Sequence, residues 1–163
     1  MIKIISAYDR VEDMLTLIKE YTDDISSHGE EIKECLSSQN LSEELADVES
    51  KYALPYGRMY IALFDGKAVG SVALAKDGEE HCELKRLYVR EEYRGMHIAI
   101  ALMDKVIEDA KTIGYRYMRL DTFPFMTNAI KLYENYGFTY IDKYNDNPAE
   151  AALFMQLDLE KYK

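Results

Sequence analysis

The chain has 163 residues, of which 48% are hydrophobic and 31% charged, and its formal net charge is −10. This length and composition predict one soluble globular domain over residues 1–163, large enough to fold around a core without disulfides or metal ions. The negative charge argues against a nucleic-acid partner, because a surface that follows phosphates needs clustered Lys and Arg.

The sequence also argues against membrane insertion and metal binding. No apolar stretch approaches the roughly 20 residues that cross a bilayer, and residues 1–10 lack the apolar core of a signal peptide. Two cysteines, Cys35 and Cys82, are too few for a disulfide framework, and three scattered histidines do not have the spacing of a metal site. We therefore predict a cytoplasmic protein with no membrane partner and no metal.

Charge is unevenly distributed along the chain. Residues 1–54 hold thirteen acidic and five basic residues, whereas residues 84–119 hold eight basic and five acidic residues. An anion site is therefore expected in the second half, and a surface that attracts cations in the first. A solvated helical face that keeps the protein soluble explains the acidic segment equally well.

Side-chain periodicity predicts the elements. Residues 2–6 read as a strand, and helical spacing begins near Arg10 and runs to Pro55, with interruptions at 26–29 and 37–41. Later strands are expected at 58–64, 68–75, 81–89, 117–122, 138–144 and 152–159, and helices at 96–115 and 126–138. This order predicts an α/β fold with a mixed, mostly antiparallel sheet flanked by helices, containing one parallel strand–helix–strand unit.

The turn between the strand at 81–89 and the next helix is a candidate anion site. Tyr93, Arg94 and Gly95 place a cation and a flexible residue before a helix whose first N–H groups have no partner within the helix. That arrangement suits a pyrophosphate. An ordinary connection with a solvent-facing Arg94 is the alternative.

Three blocks, ELKRLYVREEYRGMHIAIALM, MRLDT and AIKLYENYGF, resemble in order and spacing the GNAT superfamily of acetyl-CoA-dependent N-acetyltransferases. The superfamily's signature is Arg or Gln, two residues, Gly, one residue, then Gly or Ala. Arg94 and Ala99 match its ends. The resemblance implies a splayed sheet and a cofactor site that comprises Leu87, Tyr88, Val89, Arg94, Gly95, Met96, His97, Ile98 and Ala99.

His97 departs from the signature, since a glycine usually lets backbone N–H groups close around the pyrophosphate with no Cβ in the way. A slightly altered loop is expected, with the imidazole turned outward or touching a phosphate. A tolerated surface substitution is the alternative to a histidine that contacts the ligand.

The resemblance also implies two catalytic residues. Tyr133 stands where many members have a tyrosine that protonates the thiolate of coenzyme A, and a phenol is neutral at pH 7 and can donate to sulfur. Glu83 lies eleven residues before Arg94, where some members have a glutamate that takes the proton from the attacking ammonium. The respective alternatives are a buried helix aromatic and a structural ion pair.

Two further expectations concern neighbouring strands. Simple alternation places Glu83, Lys85, Leu87 and Val89 on one face of their strand. At the end of the next strand, Asp121 and Thr122 are weaker candidates for contact with the substrate across the cleft.

The sequence thus predicts transfer of an acetyl group from acetyl-CoA to a primary amine of a small molecule or peptide, by direct attack on the thioester. The acidic first segment would attract a cationic acceptor: a polyamine, an amino-acid amine, a lysine side chain or an aminoglycoside. The alternatives are a non-catalytic acyl-CoA-binding or sensing protein with an eroded pyrophosphate loop, and a structural interaction domain. A homodimer is compatible with the resemblance, since superfamily members commonly pair.

Overall fold

The computed structural model describes residues 1–38 and 41–162, apart from the side chains of residues 35, 37 and 38. The strands are β1 (Ile2–Ser6), β2 (Arg58–Phe64), β3 (Lys67–Lys76), β4 (His81–Val89), β5 (Tyr117–Thr122), β6 (Thr139–Ile141) and β7 (Leu153–Asp158). The helices are α1 (Val11–Ser26), α2 (Glu30–Ser38), α3 (Leu41–Ala46), α4 (Val48–Lys51), α5 (Ile98–Ile113) and α6 (Thr127–Tyr136), with a 3₁₀ turn at Glu91–Tyr93.

The strands form one mixed sheet in the order β1-β2-β3-β4-β5-β7-β6, which confirms the predicted fold class. Among the described strands, β4 and β5 are the one parallel pair, and α5 is the crossover between them. The predicted helix ends at Gly114 and Gly137 adopt the left-handed backbone conformation that glycine favours. The predicted interruption at 37–41 includes residues 39 and 40, which lie outside the described residues.

β6 is much shorter than the predicted strand at 138–144. Pairing with β7 ends at Ile141, and the chain then crosses toward β4 and β5. Tyr144 donates a hydrogen bond to Glu83 of β4, and Asn145 and Asn147 each donate one to Asp121 of β5. Tyr144, Asn145 and Asn147 thus bind β4 and β5 through their side chains, and the chain does not continue the backbone pairing of β6 with β7.

Apolar side chains cover both faces of the sheet. One face packs against α5 and α6, and the other against α1 and α4. The core between the sheet and α5 includes the fully buried residues Leu74, Ile98, Leu102, Met103, Ile107 and Met118. The core between the sheet and α1 includes Met14, Leu17, Ile18, Tyr52, Met59 and Ile61. Across the described residues, no helix is long and apolar enough to cross a membrane.

The sheet opens at its centre. β4 and β5 pair over His81–Glu83 and Tyr117–Arg119, but β4 continues to Val89 and β5 to Thr122. The two strands therefore diverge beyond Glu83, as the predicted splay requires. The gap between their carboxyl ends is where the candidate active site lies.

β4 carries a bulge at Arg86. The register with β3 shifts so that Ala73 lies opposite Lys85, whereas Ser71 lies opposite Tyr88. Three steps along β4 thus match two steps along β3. Arg86 has a φ of 58°, in the left-handed region that L residues seldom occupy. An extra residue of this kind turns the following side chains over.

The bulge corrects the prediction of simple alternation. Leu87 and Val89 pack with Leu84 in the apolar core on the α5 side of the sheet. Glu83 and Lys85 lie on the opposite face. The prediction that all four alternate residues from Glu83 to Val89 share a face is wrong, because it assumed a regular strand.

A buried ion pair fixes the bulge to α3. The Nε and Nη2 atoms of Arg86 each donate to one carboxylate oxygen of Glu44 at 2.9 Å, and the two side chains are 3% and 1% exposed. Burial alone would raise the pKa of Glu44, but the hydrogen bonds and charge of Arg86 hold it below its ordinary value. Ser71 of β3 donates to the carbonyl oxygen of Arg86 at 3.0 Å.

A second ion pair joins α1 to the end of β4. Arg90 donates from Nε and Nη2 to the two carboxylate oxygens of Glu20, at 2.8 and 2.6 Å. The hydroxyl of Tyr88 donates to the same carboxylate at 3.3 Å, and Arg90 Nη1 donates to the carbonyl oxygen of Ala68 at 3.1 Å. Two acidic residues of the first segment are therefore paired with arginines of the second.

Replacing Glu44 with Gln should destabilise the fold, because the Arg86 guanidinium then stays buried without its counter-charge. Removing one partner of a buried ion pair typically costs about 3–5 kcal/mol, and we expect a loss of that order in the free energy of unfolding measured with urea. Glu20→Gln is the matched control, since its pair with Arg90 is partly exposed and should contribute about 1 kcal/mol or less. Equal losses would contradict a special role for the Arg86 pair.

The same variant should reveal the ionisation of Glu44. Its pKa is lower in the folded than in the unfolded state, so its stabilisation is fully present above the unfolded pKa and is lost as pH falls through the folded one. The difference in unfolding free energy between wild type and Glu44→Gln should therefore shrink below about pH 4. A difference that stays constant from pH 7 to pH 3 would contradict an ionised Glu44.

Candidate active site

A cleft of about 730 Å³ runs along the open end of β4. The end of β4 and the first turn of α5 form one wall, the start of α6 and the loop before it form the opposite wall, and α1 closes a third side. Its lining includes Tyr21, Asp24, Ile25, His28, Leu87, Tyr88, Val89, Glu91, Arg94, Gly95, His97, Ile98, Ala99, Phe125, Met126, Ala129 and Leu132. The structure thus brings the predicted cofactor residues together, except for Met96, which is exposed and is not among the lining residues.

The first turn of α5 presents backbone N–H groups to this cleft. The N–H of Ala101 donates to the carbonyl oxygen of His97 at 3.2 Å as the first bond of the helix. The N–H groups of Ile98, Ala99 and Ile100 precede that bond, and all three residues line the cleft. A helix N-terminus carries a partial positive charge, so this wall is suited to an anion.

His97 occupies the left-handed backbone region at the N-cap of α5, with φ 63° and ψ 22°. Glycine reaches this region without steric cost, which explains why the superfamily signature has glycine here. Histidine is several-fold enriched among the other residues that tolerate it. The backbone therefore keeps the conformation that a glycine would favour, and the exposed imidazole is the added feature.

Arg94 joins the turn to the strand that precedes it. Its Nε donates to the carbonyl oxygen of Val89 at 2.9 Å, and its guanidinium carbon lies 5.9 Å from the centre of the Tyr88 ring. Arg94 also lines the cleft, together with the N-terminus of α5. The predicted cation and the predicted helix N-terminus thus face the same space.

A second, smaller cavity of about 40 Å³ lies between the diverging strands. We call it the fork cavity; it is lined by Tyr21, Ile25, Leu36, Leu84, Lys85, Arg86, Leu87, Leu120, Asp121, Thr122, Phe123, Met126 and Tyr133. The fork cavity and the large cleft share Tyr21, Ile25, Leu87 and Met126. The two spaces therefore adjoin.

Tyr133 reaches the fork cavity from α6. Its residue is only 6% exposed, and its ring packs against Phe138 with 5.6 Å between ring centres. Burial, with smaller effects from Tyr21 and Asp121, raises the pKa of Tyr133 well above its ordinary value. The phenol therefore keeps its proton at neutral pH, as a proton donor must.

Asp121 and Thr122 both line the fork cavity, although they lie on opposite faces of β5. Asp121 Oδ2 accepts hydrogen bonds from Nδ2 of Asn145 at 3.1 Å and Nδ2 of Asn147 at 3.2 Å. Thr122 is buried, and its hydroxyl lies 3.4 Å from the sulfur of Met126. Asp121 thus contributes a carboxylate, held by two asparagine amides, to the lining of the fork cavity.

Glu83 is outside both cavities. The hydroxyl of Tyr144 donates to Glu83 Oε2 at 2.6 Å, and Lys85 Nζ lies 3.8 Å from Glu83 Oε1. Burial and the charge of Glu83 raise the pKa of Tyr144, so the tyrosine stays neutral. Because Lys85 lines the fork cavity, Glu83 lies one side chain behind it. The structure therefore does not place Glu83 in the cavity that Tyr133 lines.

Several residues that line the two cavities were not predicted from the sequence. His28, after α1, stacks on Phe125, before α6, with 3.8 Å between ring centres, and Phe125 stacks on Phe123 at 5.7 Å. The two phenylalanines flank a proline in a predicted loop, which is the one signal that could have identified them. Among the described residues, no group of His, Cys, Asp and Glu could hold a metal ion.

A model of the acetyltransferase (GNAT) family matches residues 23–138. An uncharacterised N-acetyltransferase of Schizosaccharomyces pombe is 34% identical over 153 residues, which are 93% of this chain and 90% of that protein. The N-acetylaspartate synthetase of Danio rerio is 33% identical over 133 residues, or 76% of this chain and 47% of that protein.

A solved structure shares the fold. The PaiA N-acetyltransferase of Thermoplasma acidophilum, in complex with coenzyme A, matches with a TM-score of 0.70 at 21% identity, covering 97% of this chain and 99% of that one. The family model spans most of this chain, and the Schizosaccharomyces pombe relative spans nearly all of it. The chain therefore belongs to the GNAT family and is an N-acetyltransferase.

Proposed function

We propose that residues 1–163 form one N-acetyltransferase domain that moves an acetyl group from acetyl-CoA to a primary amine of a small molecule or peptide. The observation that carries this proposal is the continuity of the site. A large cleft with a helix N-terminus at one end adjoins a small cavity that contains a protonated phenol, Tyr133.

The residues of the cleft fit acetyl-CoA. Arg94 and the N–H groups of Ile98–Ile100 would hold the pyrophosphate, because a cation and a helix N-terminus both favour an anion. The edge of β4 at Leu87–Val89 extends beyond its pairing with β5, so its backbone can accept the amide groups of an extended pantetheine arm. The cleft volume of about 730 Å³ is within the range usual for ligand sites.

Bound acetyl-CoA supplies a thioester that an amine can attack. The amine nitrogen forms a bond to the acetyl carbon, the carbon–sulfur bond breaks, and Tyr133 gives its proton to the departing thiolate. Before the attack, the acceptor ammonium loses one proton toward Glu83, through water because Glu83 lies behind Lys85. The nitrogen loses its second proton as the amide forms, and that proton restores the Tyr133 hydroxyl. Backbone N–H groups of β4 would orient the acetyl carbonyl.

We propose that the acceptor is a small molecule and not a folded protein. The relatives named N-acetylaspartate synthetases carry the name of a small-molecule product, and they match 62–76% of this chain. The fork cavity, at about 40 Å³, is suited to a head group rather than to a folded protein surface.

Replacing Tyr133 with Phe should lower turnover by about 10²–10⁴, the usual contribution of a positioned acid or base, and leave acetyl-CoA affinity nearly unchanged. The ring and its contact with Phe138 are kept, and only the proton donor is lost. Turnover is measured as thiol release in the presence of amines, and affinity by calorimetry.

Glu83→Gln is the comparison variant for Tyr133→Phe. Its loss of rate should ease as pH rises, because more of the amine then arrives deprotonated, whereas the loss in Tyr133→Phe should not ease. Normal turnover in Tyr133→Phe would contradict its role as the acid. Tight acetyl-CoA binding without thiol release in the wild type, for any amine, would favour the acyl-CoA-sensing alternative.

Arg94→Glu should weaken acetyl-CoA binding by more than ~1 kcal/mol, because it puts a negative charge beside the pyrophosphate, and the loss should shrink at high salt. The companion variant is His97→Gly, which relieves the left-handed backbone at that position. It should bind acetyl-CoA equally well or more tightly. A sharp loss in His97→Gly would show that the imidazole contacts the ligand, and unchanged affinity in Arg94→Glu would place the anion site elsewhere.

A further inference from the structure

The segment between β6 and β7 brings a tyrosine to the carboxylate behind the fork cavity. The hydroxyl of Tyr144, in this segment, donates to Glu83 Oε2 at 2.6 Å. This distance is in the range of hydrogen bonds to an ionised oxygen, which are shorter and stronger than neutral ones. The ammonium of Lys85 lies 3.8 Å from the other carboxylate oxygen, Oε1. The two oxygens of Glu83 therefore have different neighbours.

The Tyr144 hydroxyl is a donor in this contact and not a base. Burial raises the pKa of Tyr144 well above the ordinary value of a phenol, and the charge and hydrogen bond of Glu83 raise it further. Tyr144 thus keeps its proton at neutral pH. A hydrogen bond to the charged form of a carboxyl group stabilises that form, so the contact favours an ionised carboxylate as well as fixing its orientation.

The ring of Tyr144 is held by residues of two strands. It meets the ring of Phe154, on β7, edge-on with 5.6 Å between ring centres, and the guanidinium carbon of Arg119, on β5, lies 5.1 Å from its centre. Arg119 is itself fixed, since its Nε donates to Gln156 Oε1 at 3.1 Å and its Nη2 lies 2.8 Å from His81 Nε2. Packing on the sheet therefore aims the hydroxyl of Tyr144.

The backbone that follows Tyr144 is anchored as well. Asn145 and Asn147 both donate to Asp121 Oδ2, on β5, at 3.1 and 3.2 Å. The N–H of Asn147 donates to the side-chain oxygen of Asn145 at 3.0 Å, and Asn147 is buried. The segment thus binds both arms of the fork, β4 through the tyrosine and β5 through the two asparagines.

Several charged or titratable groups surround the contact between Tyr144 and Glu83. They are Lys85 and His81 on β4, Arg119 and Asp121 on β5, and Asp77 in the turn before β4. Arg119 is the register partner of Glu83 and lies 3.8 Å from Asp77. Lys85 and Arg119 favour the carboxylate by their charge, whereas Tyr144 determines which of its oxygens is held.

We propose that Tyr144 is a positioning residue for acetyl transfer, which holds Oε2 of Glu83 so that Oε1 stays on the side of Lys85 and the fork cavity. This rests on the proposed function and deepens it. One proton of the acceptor ammonium passes through water to Oε1, so an N–H bond breaks and an O–H bond forms there. Tyr144 keeps its own proton throughout. Without its hydroxyl the carboxylate can rotate, and it takes up a proton from solvent more readily.

Tyr144→Phe tests the proposal, because it keeps the ring contacts with Phe154 and Arg119 and removes only the donor. Thiol release from acetyl-CoA is followed from about pH 4.5 to about pH 9. The acceptor is the fastest of spermidine, L-aspartate, L-lysine and kanamycin. The ratio of kcat/KM for wild type over Tyr144→Phe should exceed one throughout and increase toward acid, by as much as about tenfold. Ionisation of the amine cancels in this ratio, whereas protonation of Glu83 at higher pH in the variant does not.

Two controls isolate the contact with Glu83. Tyr140→Phe removes the hydroxyl of a tyrosine that is exposed on β6, and it should leave the ratio near one at every pH. In the Glu83→Gln background, adding Tyr144→Phe should have little further effect at any pH, because the two residues act as one unit. Circular dichroism and thermal unfolding establish that each variant is folded, and acetyl-CoA affinity should be the same in all of them.

Failure of this inference is distinguishable from failure of the proposed function. A ratio that is independent of pH in folded Tyr144→Phe would assign the tyrosine to the fold alone and overturn the inference. An equal loss from Tyr144→Phe in the wild-type and Glu83→Gln backgrounds would do the same, as would normal turnover in Glu83→Gln, which leaves no base to position. Acetyl transfer stands in each of these cases. If acetyl-CoA does not bind, or no amine releases thiol, the proposed function and this inference fall together.

Discussion

The bidentate ion pair between Arg86 and Glu44 is the interaction on which the site depends. It holds a residue of β4 at a φ of 58°, a conformation that costs an L residue about 1–2 kcal/mol. Because both side chains are buried, neither can turn to solvent without leaving the other charge unpaired. The bulge therefore stays in place, and it turns Leu87 and Val89 toward the α5 side of the sheet.

Two consequences of this constraint meet in the gap between β4 and β5. The end of β4 continues past its parallel pairing, which provides a backbone edge along the cleft. On the opposite face, the bulge brings Lys85 and Arg86 to the fork cavity, where α3 is tied to the strand. One strand irregularity thus serves the proposed cosubstrate on one side and the proposed acceptor on the other.

Much of the fold and part of the site could be predicted, because the signals were local. Periodicity located the helices and the hairpin, and the turn at 94–99 was recognisable from Arg94 and its spacing to Ala99. The bulge could not be predicted, since arginine has no preference for positive φ and its partner Glu44 is 42 residues away. The position of Glu83 depends on Tyr144, in a segment whose pattern resembled a strand but whose side chains bind β4 and β5 instead.

A crystal structure of the chain with coenzyme A would test the central claim most directly. The account predicts the pyrophosphate within hydrogen-bond distance of the N–H groups at the start of α5, and the sulfur within reach of the Tyr133 hydroxyl at the entrance to the fork cavity. Coenzyme A bound with its sulfur outside the gap between β4 and β5, or a pyrophosphate away from Arg94 and α5, would contradict it.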